Sequence, residues 1–224
     1  MVQTVQRTSE EIIDDVHSRL LWDDRIDESG IDVNISDGKV VLTGRVPTCS
    51  DRSYAEEDVY SIAGVSFVDN RLAVSPPAGG EAPGDDDIAS HIRNALEWSP
   101  HIDSGKVGVT VEGGAVTLQG TVDSLWQKTM AARIAENIRG VLDVRNLLKV
   151  DPARTVPDEE IACQILKAFE NDALLDISLI NVHVKDGIVT LSGTVHNHHA
   201  LLTAEKIAEI TSGVRDVNNY LVVI

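Results

Sequence analysis

The sequence SDGKVVLTGRV at residues 36–46 has the pattern of a β-hairpin. Asp37 and Gly38 suit a two-residue type I′ turn, because both central positions of that turn require positive φ. The alternating apolar residues that follow predict a strand with one buried face. The pattern returns as EGGAVTLQGTV at 112–122 and as KDGIVTLSGTV at 185–195. A hairpin that occurs three times predicts a repeated fold.

The repetition extends beyond the hairpin. Two further glycines and one asparagine recur at matching places in every copy, and we expect them to form the structural signature of the repeat: Gly38, Gly44, Gly64, Asn70, Gly114, Gly120, Gly140, Asn146, Gly187, Gly193, Gly213 and Asn219. The sequence therefore predicts three tandem domains, which we call units 1, 2 and 3, at residues 8–75, 85–150 and 157–224. A linker rich in proline and glycine occupies 76–84, and a shorter linker occupies 151–156.

Each unit has the same predicted order of elements. It opens with apolar residues four apart, such as Ile12, Val16 and Leu20, which indicate one face of a helix. Near the end of this helix, Trp22 and its equivalent Trp98 are expected to complete the edge of the core. The hairpin, a second helix with small buried residues and a last alternating strand follow. We predict an α+β fold of three tandem α-β-β-α-β domains, each a mixed three-stranded sheet with two helices packed on one face.

The recurring residues each have an expected role. Gly44 and its equivalents lie on the apolar face of the sheet, where the missing side chain would let a helix approach closely. Gly64 and its equivalents are expected to end the second helix as left-handed caps. Asn70 lies on the apolar face by parity and must find hydrogen bonds there. We expect its amide to hold backbone near Asp27.

This pattern resembles the BON domain, a family named for bacterial osmotically inducible and nodulation-type proteins. In unit 1 the resemblance is carried by Ile26, Asp27, Val33, Gly38, Val40, Leu42, Gly44, Val46, Gly64, Val65, Val68, Asn70 and Leu72. The resemblance implies the α-β-β-α-β fold and a non-enzymatic role in osmotic or envelope stress, with phospholipid binding in some members. It brings no catalytic motif and no cofactor.

The charge of the chain argues against a nucleic-acid partner. Asp and Glu number 36 against 19 Lys and Arg, which gives a formal net charge of −17. Such a chain is repelled by nucleic acid and by anionic lipid unless a local basic patch intervenes. The N-terminal residues contain no continuous apolar segment of the kind found in secretory signals, so we expect a cytoplasmic protein, although many members of the family that it resembles are exported.

The histidines at 196–199 are the nearest approach to a metal-binding motif. His196, His198 and His199 could supply nitrogen ligands to a divalent ion. However, the matching positions of the other units carry no such set, and short histidine tracts are only a compositional signal. We expect these residues to be polar positions of a turn, with no bound metal.

The turn that opens the second helix of unit 2 offers another candidate. Leu125 and Trp126 lie beside Lys128, with Arg133 further along the helix. If Leu125 and Trp126 are exposed, as we expect, apolar and basic side chains in this combination can enter a lipid headgroup region. The alternative is packing of the tryptophan against a neighbouring unit.

Together these features predict a non-enzymatic, stress-associated binding module that contacts a protein partner or a second copy of itself. A phospholipid-surface adaptor that uses the Leu125–Trp126 turn is the alternative, and a metal-binding protein that uses the three histidines is the weaker one. The unequal linkers predict a loosely tethered unit 1 and a more fixed pair of units 2 and 3.

Overall fold

The computed structural model describes residues 7–36, 39–65, 67–75, 83–152 and 154–224. Within these ranges the chain forms six α-helices and three mixed β-sheets, with one sheet and two helices in each unit. The predicted α+β fold of three tandem α-β-β-α-β units is confirmed.

The helices and strands have these bounds. Unit 1 contains α1 (Ser9–Leu21), β1 (Ile31–Ser36), β2 (Lys39–Val46), α2 (Cys49–Tyr60), β3 (Val68–Asn70) and β4 (Ala73–Val74). Unit 2 contains α3 (Asp85–Trp98), β5 (Val107–Glu112), β6 (Ala115–Val122), α4 (Leu125–Glu136) and β7 (Asp143–Val150). Unit 3 contains α5 (Asp158–Glu170), β8 (Ile180–Lys185), β9 (Ile188–Val195), α6 (His198–Ile210) and β10 (Asp216–Val223).

The second strand of each unit is the centre of its sheet. It pairs antiparallel with the first strand and parallel with the last, which the second helix makes possible by carrying the chain back across the sheet. In unit 1, Val33 lies opposite Leu42 and Ile35 lies opposite Val40. This is the register that a two-residue turn and one apolar face require.

The hairpin turns have the predicted backbone in units 2 and 3. Gly113 and Gly114 have φ of 57° and 79°, and Asp186 and Gly187 have φ of 54° and 77°. Positive φ at both central residues is the mark of a type I′ turn. The corresponding turn of unit 1, at 37–38, lies outside the described residues.

The second glycine of the hairpin is required for a different reason from the one expected. Gly44 has φ of 120°, and a Cβ there would collide with the carbonyl oxygen of Gly30, just before the first strand. The same collision with the preceding backbone recurs at Gly120 and Gly193. The close neighbour is therefore the backbone carbonyl that precedes the first strand and not a helix, so our expectation about the helix was wrong.

The third glycine does not cap the second helix. Helix α2 ends at Tyr60, and its C-cap residue Ser61 remains right-handed, with its N–H donating to carbonyls of the last turn. Gly64, with φ of 95°, lies in the loop beyond that cap. Gly140 and Gly213 have the same positive φ in the same loop. These glycines shape the turn toward the last strand, and the expected cap was wrong.

The two helices of each unit cover one face of its sheet. In unit 1, Val16 and Leu20 of α1 and Ala55 and Val59 of α2 are at most 1% exposed, as is Leu42 of the central strand. The small side chain of Ala55 allows the helix backbone to approach the sheet.

The tryptophans at the end of the first helix lie outside the cores. Trp22 is 85% exposed and Trp98 is 88% exposed. Both follow the last buried residue of their helix, so the core edge is already complete without them. The expectation that they close the core was wrong.

Candidate functional site

The second helices of the three units meet, and the first residue of each contacts the next unit. Helix α4 packs against both α2 and α6. Cys49, the first residue of α2, is 1% exposed within the core of unit 2, where its thiol donates to the carbonyl of Val141 at 3.4 Å. Leu125, the first residue of α4, is 6% exposed within the core of unit 3.

The equivalent residue of unit 3 returns to unit 1. His198, the first residue of α6, stacks on Tyr60 at the end of α2, with ring centroids 3.4 Å apart and ring planes 12° from parallel. The three units therefore form a closed ring of similar head-to-tail contacts. Unit 1 is not loosely tethered, since Cys49 is buried in unit 2, and that expectation was wrong.

A cleft of about 580 Å³ lies where α2, α4 and α6 meet. Its apolar lining includes Tyr60, Leu201 and Leu202. Its charged lining comprises four carboxylates and two cations: Glu56, Glu57, Glu205 and Glu209, with Arg133 and Lys206. A pocket between domains is a common place for a binding site, and the many charges of this one favour a partner of complementary charge.

Burial inside this ring shifts the pKa values of two titratable groups that line the cleft. Burial, and then the neighbouring charge of Glu205, raise the pKa of Glu209, although Arg133 and Lys206 oppose the change. Burial against α2 lowers the pKa of His198. Both residues are half-buried, so these shifts are what a cleft partly shielded from water produces.

The recurring asparagine joins the last strand to the second helix. Nδ2 of Asn70 donates to the carbonyl of Arg52 at 2.9 Å and to Oε2 of Glu56 at 3.1 Å, while its Oδ1 accepts the N–H of Leu72. The partner is therefore the second helix and not the backbone near Asp27, which corrects our expectation.

The other two asparagines repeat this arrangement. Asn146 donates to the carbonyl of Lys128 at 2.7 Å. Asn219 donates to Oε2 of Glu205 at 3.1 Å. The signature asparagines of units 1 and 3 thus orient two of the carboxylates that line the cleft.

The four residues expected to contact lipid do not form one exposed patch. Leu125 is buried between units, so its expected exposure was wrong. Trp126 and Lys128 are half-buried, and the Trp126 ring lies edge-on to His101 with centroids 5.1 Å apart. Arg133 is exposed and belongs to the cleft.

The three histidines have separate surroundings. The ring of His198 stacks on Tyr60. His196 lies in the turn before α6 and His199 is the second residue of that helix, and both are exposed. Within the part of the chain that the structure describes, no group of three or more His, Cys, Asp or Glu could hold a metal ion.

A buried charge in unit 1 was missed at the level of sequence. Asp58 of α2 is 2% exposed and accepts two hydrogen bonds from Arg19, at 3.0 and 2.9 Å. Burial raises the pKa of Asp58 more than this ion pair lowers it. The sequence does carry a signal for this residue, because Asp58 occupies a position that is apolar in the other two units, as Ile134 and Ile207.

Comparison with known proteins agrees with this architecture. A family model described as the BON domain matches residues 8–76, 84–152 and 157–224. The chain is 29% identical over 192 residues to the osmotically-inducible protein Y of Escherichia coli strain K12, covering 81% of this chain and 92% of that protein. It is 28% identical over 164 residues to the outer membrane lipoprotein DolP of Haemophilus influenzae, covering 71% and 84%.

Other comparisons add little. The C-terminal domain of CdsD, a structural protein of the type III secretion system of Chlamydia trachomatis, covers 97% of this chain and all of that domain at 15% identity, but the TM-score of 0.27 supports no inference. No helix in the described ranges is long and apolar enough to cross a membrane. The expected cytoplasmic location has no support from these relatives. Three matches of the family model across nearly the whole chain show that it belongs to the BON domain family.

Proposed function

We propose that this protein is a non-enzymatic binding module of the bacterial cell envelope that acts under osmotic or envelope stress. The names of two relatives, one osmotically inducible and one an outer membrane lipoprotein, support this setting. The signature residues of all three units are glycines that shape the backbone and asparagines that tie the last strand to the second helix. A repeated scaffold without a recurring reactive group favours binding over catalysis.

The cleft between α2, α4 and α6 is the surface that we assign to the partner, a protein or a second copy of the chain. The observation that carries this assignment is the convergence of all three second helices on one cleft. Its carboxylates outnumber its cations and line it together with Tyr60, Leu201 and Leu202. A partner segment with lysine or arginine beside apolar side chains would complement this surface.

A charge reversal in the cleft tests the assignment. Tagged full-length chain would be used to recover envelope proteins from osmotically stressed cells, and light scattering would report self-association. We expect Glu57→Lys to lose the partner, because this exposed carboxylate lines the cleft. Glu10→Lys, on the exposed face of α1, is the matched control. Equal recovery by both variants would exclude the cleft as the docking surface.

A phospholipid surface is the second candidate partner, now through different residues. Trp22 and Trp98 are the two most exposed large apolar side chains of the described chain, and tryptophan is favoured at the membrane–water interface. Co-sedimentation with phospholipid vesicles should fall in the Trp22→Ala/Trp98→Ala variant. It should persist in Trp126→Ala, since Trp126 is half-buried. Binding that is unaffected by the double variant would rule out this surface.

A further inference from the structure

The interfaces between neighbouring units of the ring, which we call seams, differ in how much hydrophobic core the two units share. At the seam between units 1 and 2, Cys49 belongs to the core of unit 2 and Val74 packs against the cores of both units. At the seam between units 2 and 3, Leu125 and Val150 pack in the same way into the core of unit 3. Each of these seams removes apolar side chains of two units from water, and separating it would expose them again.

The seam between units 3 and 1 lacks this continuity. The described core of unit 1 is drawn from residues 12–74 alone, so it includes no residue of unit 3. The contact that closes the seam is the stack of half-buried His198 on Tyr60. Imidazole and phenol are both well hydrated when exposed, so the loss of their stack costs less than the exposure of Leu125.

The path of the chain adds to this difference. Units 1 and 2, and units 2 and 3, are joined by their linkers, whereas units 3 and 1 are not consecutive. A separated pair that is joined by a short linker recloses readily, because the linker maintains a high effective concentration. The linkage between units 3 and 1 passes through the whole of unit 2.

We propose that the ring opens at the seam between units 3 and 1 because unit 1 pivots about its shared core with unit 2, while the seam between units 2 and 3 stays fixed. The opened seam is then the entrance to the cleft. The proposal rests on the proposed function only in treating the cleft as the partner's site. Opening widens the gap between α2 and α6 and separates Tyr60 from His198, so that a partner can reach both rings.

The chain offers matched positions for measuring the opening. Asp14, Ser90 and Cys163 are equivalent exposed residues of α1, α3 and α5. Spin labels on native Cys163 and on Asp14→Cys report the seam between units 3 and 1, and labels on Cys163 and Ser90→Cys report the seam between units 2 and 3. Cys49 stays unlabelled because burial raises the pKa of its thiol to about 11.

Pulsed electron–electron double resonance then gives the distribution of distances between the two spin labels across each seam. We expect two populations for the 14–163 pair and one narrow population for the 90–163 pair. His198→Leu copies Leu125 at the equivalent position and should lower the ratio of open to closed ring about tenfold, the effect of burying one further apolar side chain. The 90–163 distance should not change.

Two results would overturn the proposal. One is a single 14–163 population as narrow as that of the 90–163 pair, and the other is a broader distribution for the 90–163 pair. The measurement contains no partner, so its failure leaves the proposed binding function standing. Conversely, loss of the effect of Glu57→Lys on partner recovery would leave the opening untouched.

Discussion

Leu125→Ala should separate the energetics of the ring from those of the single units. Leu125 belongs to helix α4 of unit 2, but its side chain is buried in the core of unit 3 and is 6% exposed. Truncation removes its apolar contacts and leaves a cavity between two units. The variant therefore weakens a junction without altering the internal sheet of either unit.

The expected cost follows from this burial. Leu→Ala changes in well-packed cores destabilise proteins by about 2–5 kcal/mol, and the lower values belong to sites that can collapse around the cavity. A junction between two units can adjust more readily than a core, and Cys49 occupies the equivalent position with a smaller side chain. We expect a loss of about 2–3 kcal/mol in the free energy of unfolding.

Urea unfolding followed by circular dichroism measures this loss, with tryptophan fluorescence as a second probe. The matched control is Leu147→Ala, also in unit 2, whose side chain is 51% exposed on the open face of the sheet. Surface substitutions of this kind usually change stability by at most about 0.5 kcal/mol. Equal costs for the two variants would refute the insertion of Leu125 into unit 3.

Three further outcomes test the units themselves. Gly120→Ala should cost about 1–3 kcal/mol in urea unfolding, because its φ is 127° and a Cβ meets a backbone carbonyl; a loss no larger than that of Gly108→Ala would contradict this. Asn146→Ala should lower the free energy of unfolding by about 1–3 kcal/mol, since it leaves the N–H of Leu148 without its hydrogen-bond acceptor. An unchanged midpoint of urea unfolding would contradict this. The raised pKa of Asp58 means that its folded form binds the proton more tightly, so its contribution to stability is present below the unfolded pKa near 3.8 and is lost as pH rises through the folded pKa. Asp58→Asn should reduce the fall in unfolding free energy as pH rises above about 4, and an unaltered slope would exclude this role.

Within each unit, most of the structure followed from local pattern. The pairing of Val33 with Leu42 could be predicted because strand residues alternate in period two and a two-residue turn sets the register. The sequence also singled out Gly44, but the neighbour that excludes a side chain there is a carbonyl brought close by strand pairing. The repeat showed that Gly44 is important, but it did not show which atoms lie close to it.

By itself, therefore, the sequence determined the three-unit fold, its family and the register of its hairpins. Only the tertiary structure placed Cys49, Leu125 and His198 at equivalent junctions and gathered α2, α4 and α6 around one cleft. These three side chains share a position but differ in chemistry, so no pattern marks them as a set. Their burial depends on how whole units are oriented, and contacts between units produce no periodic pattern in the local sequence.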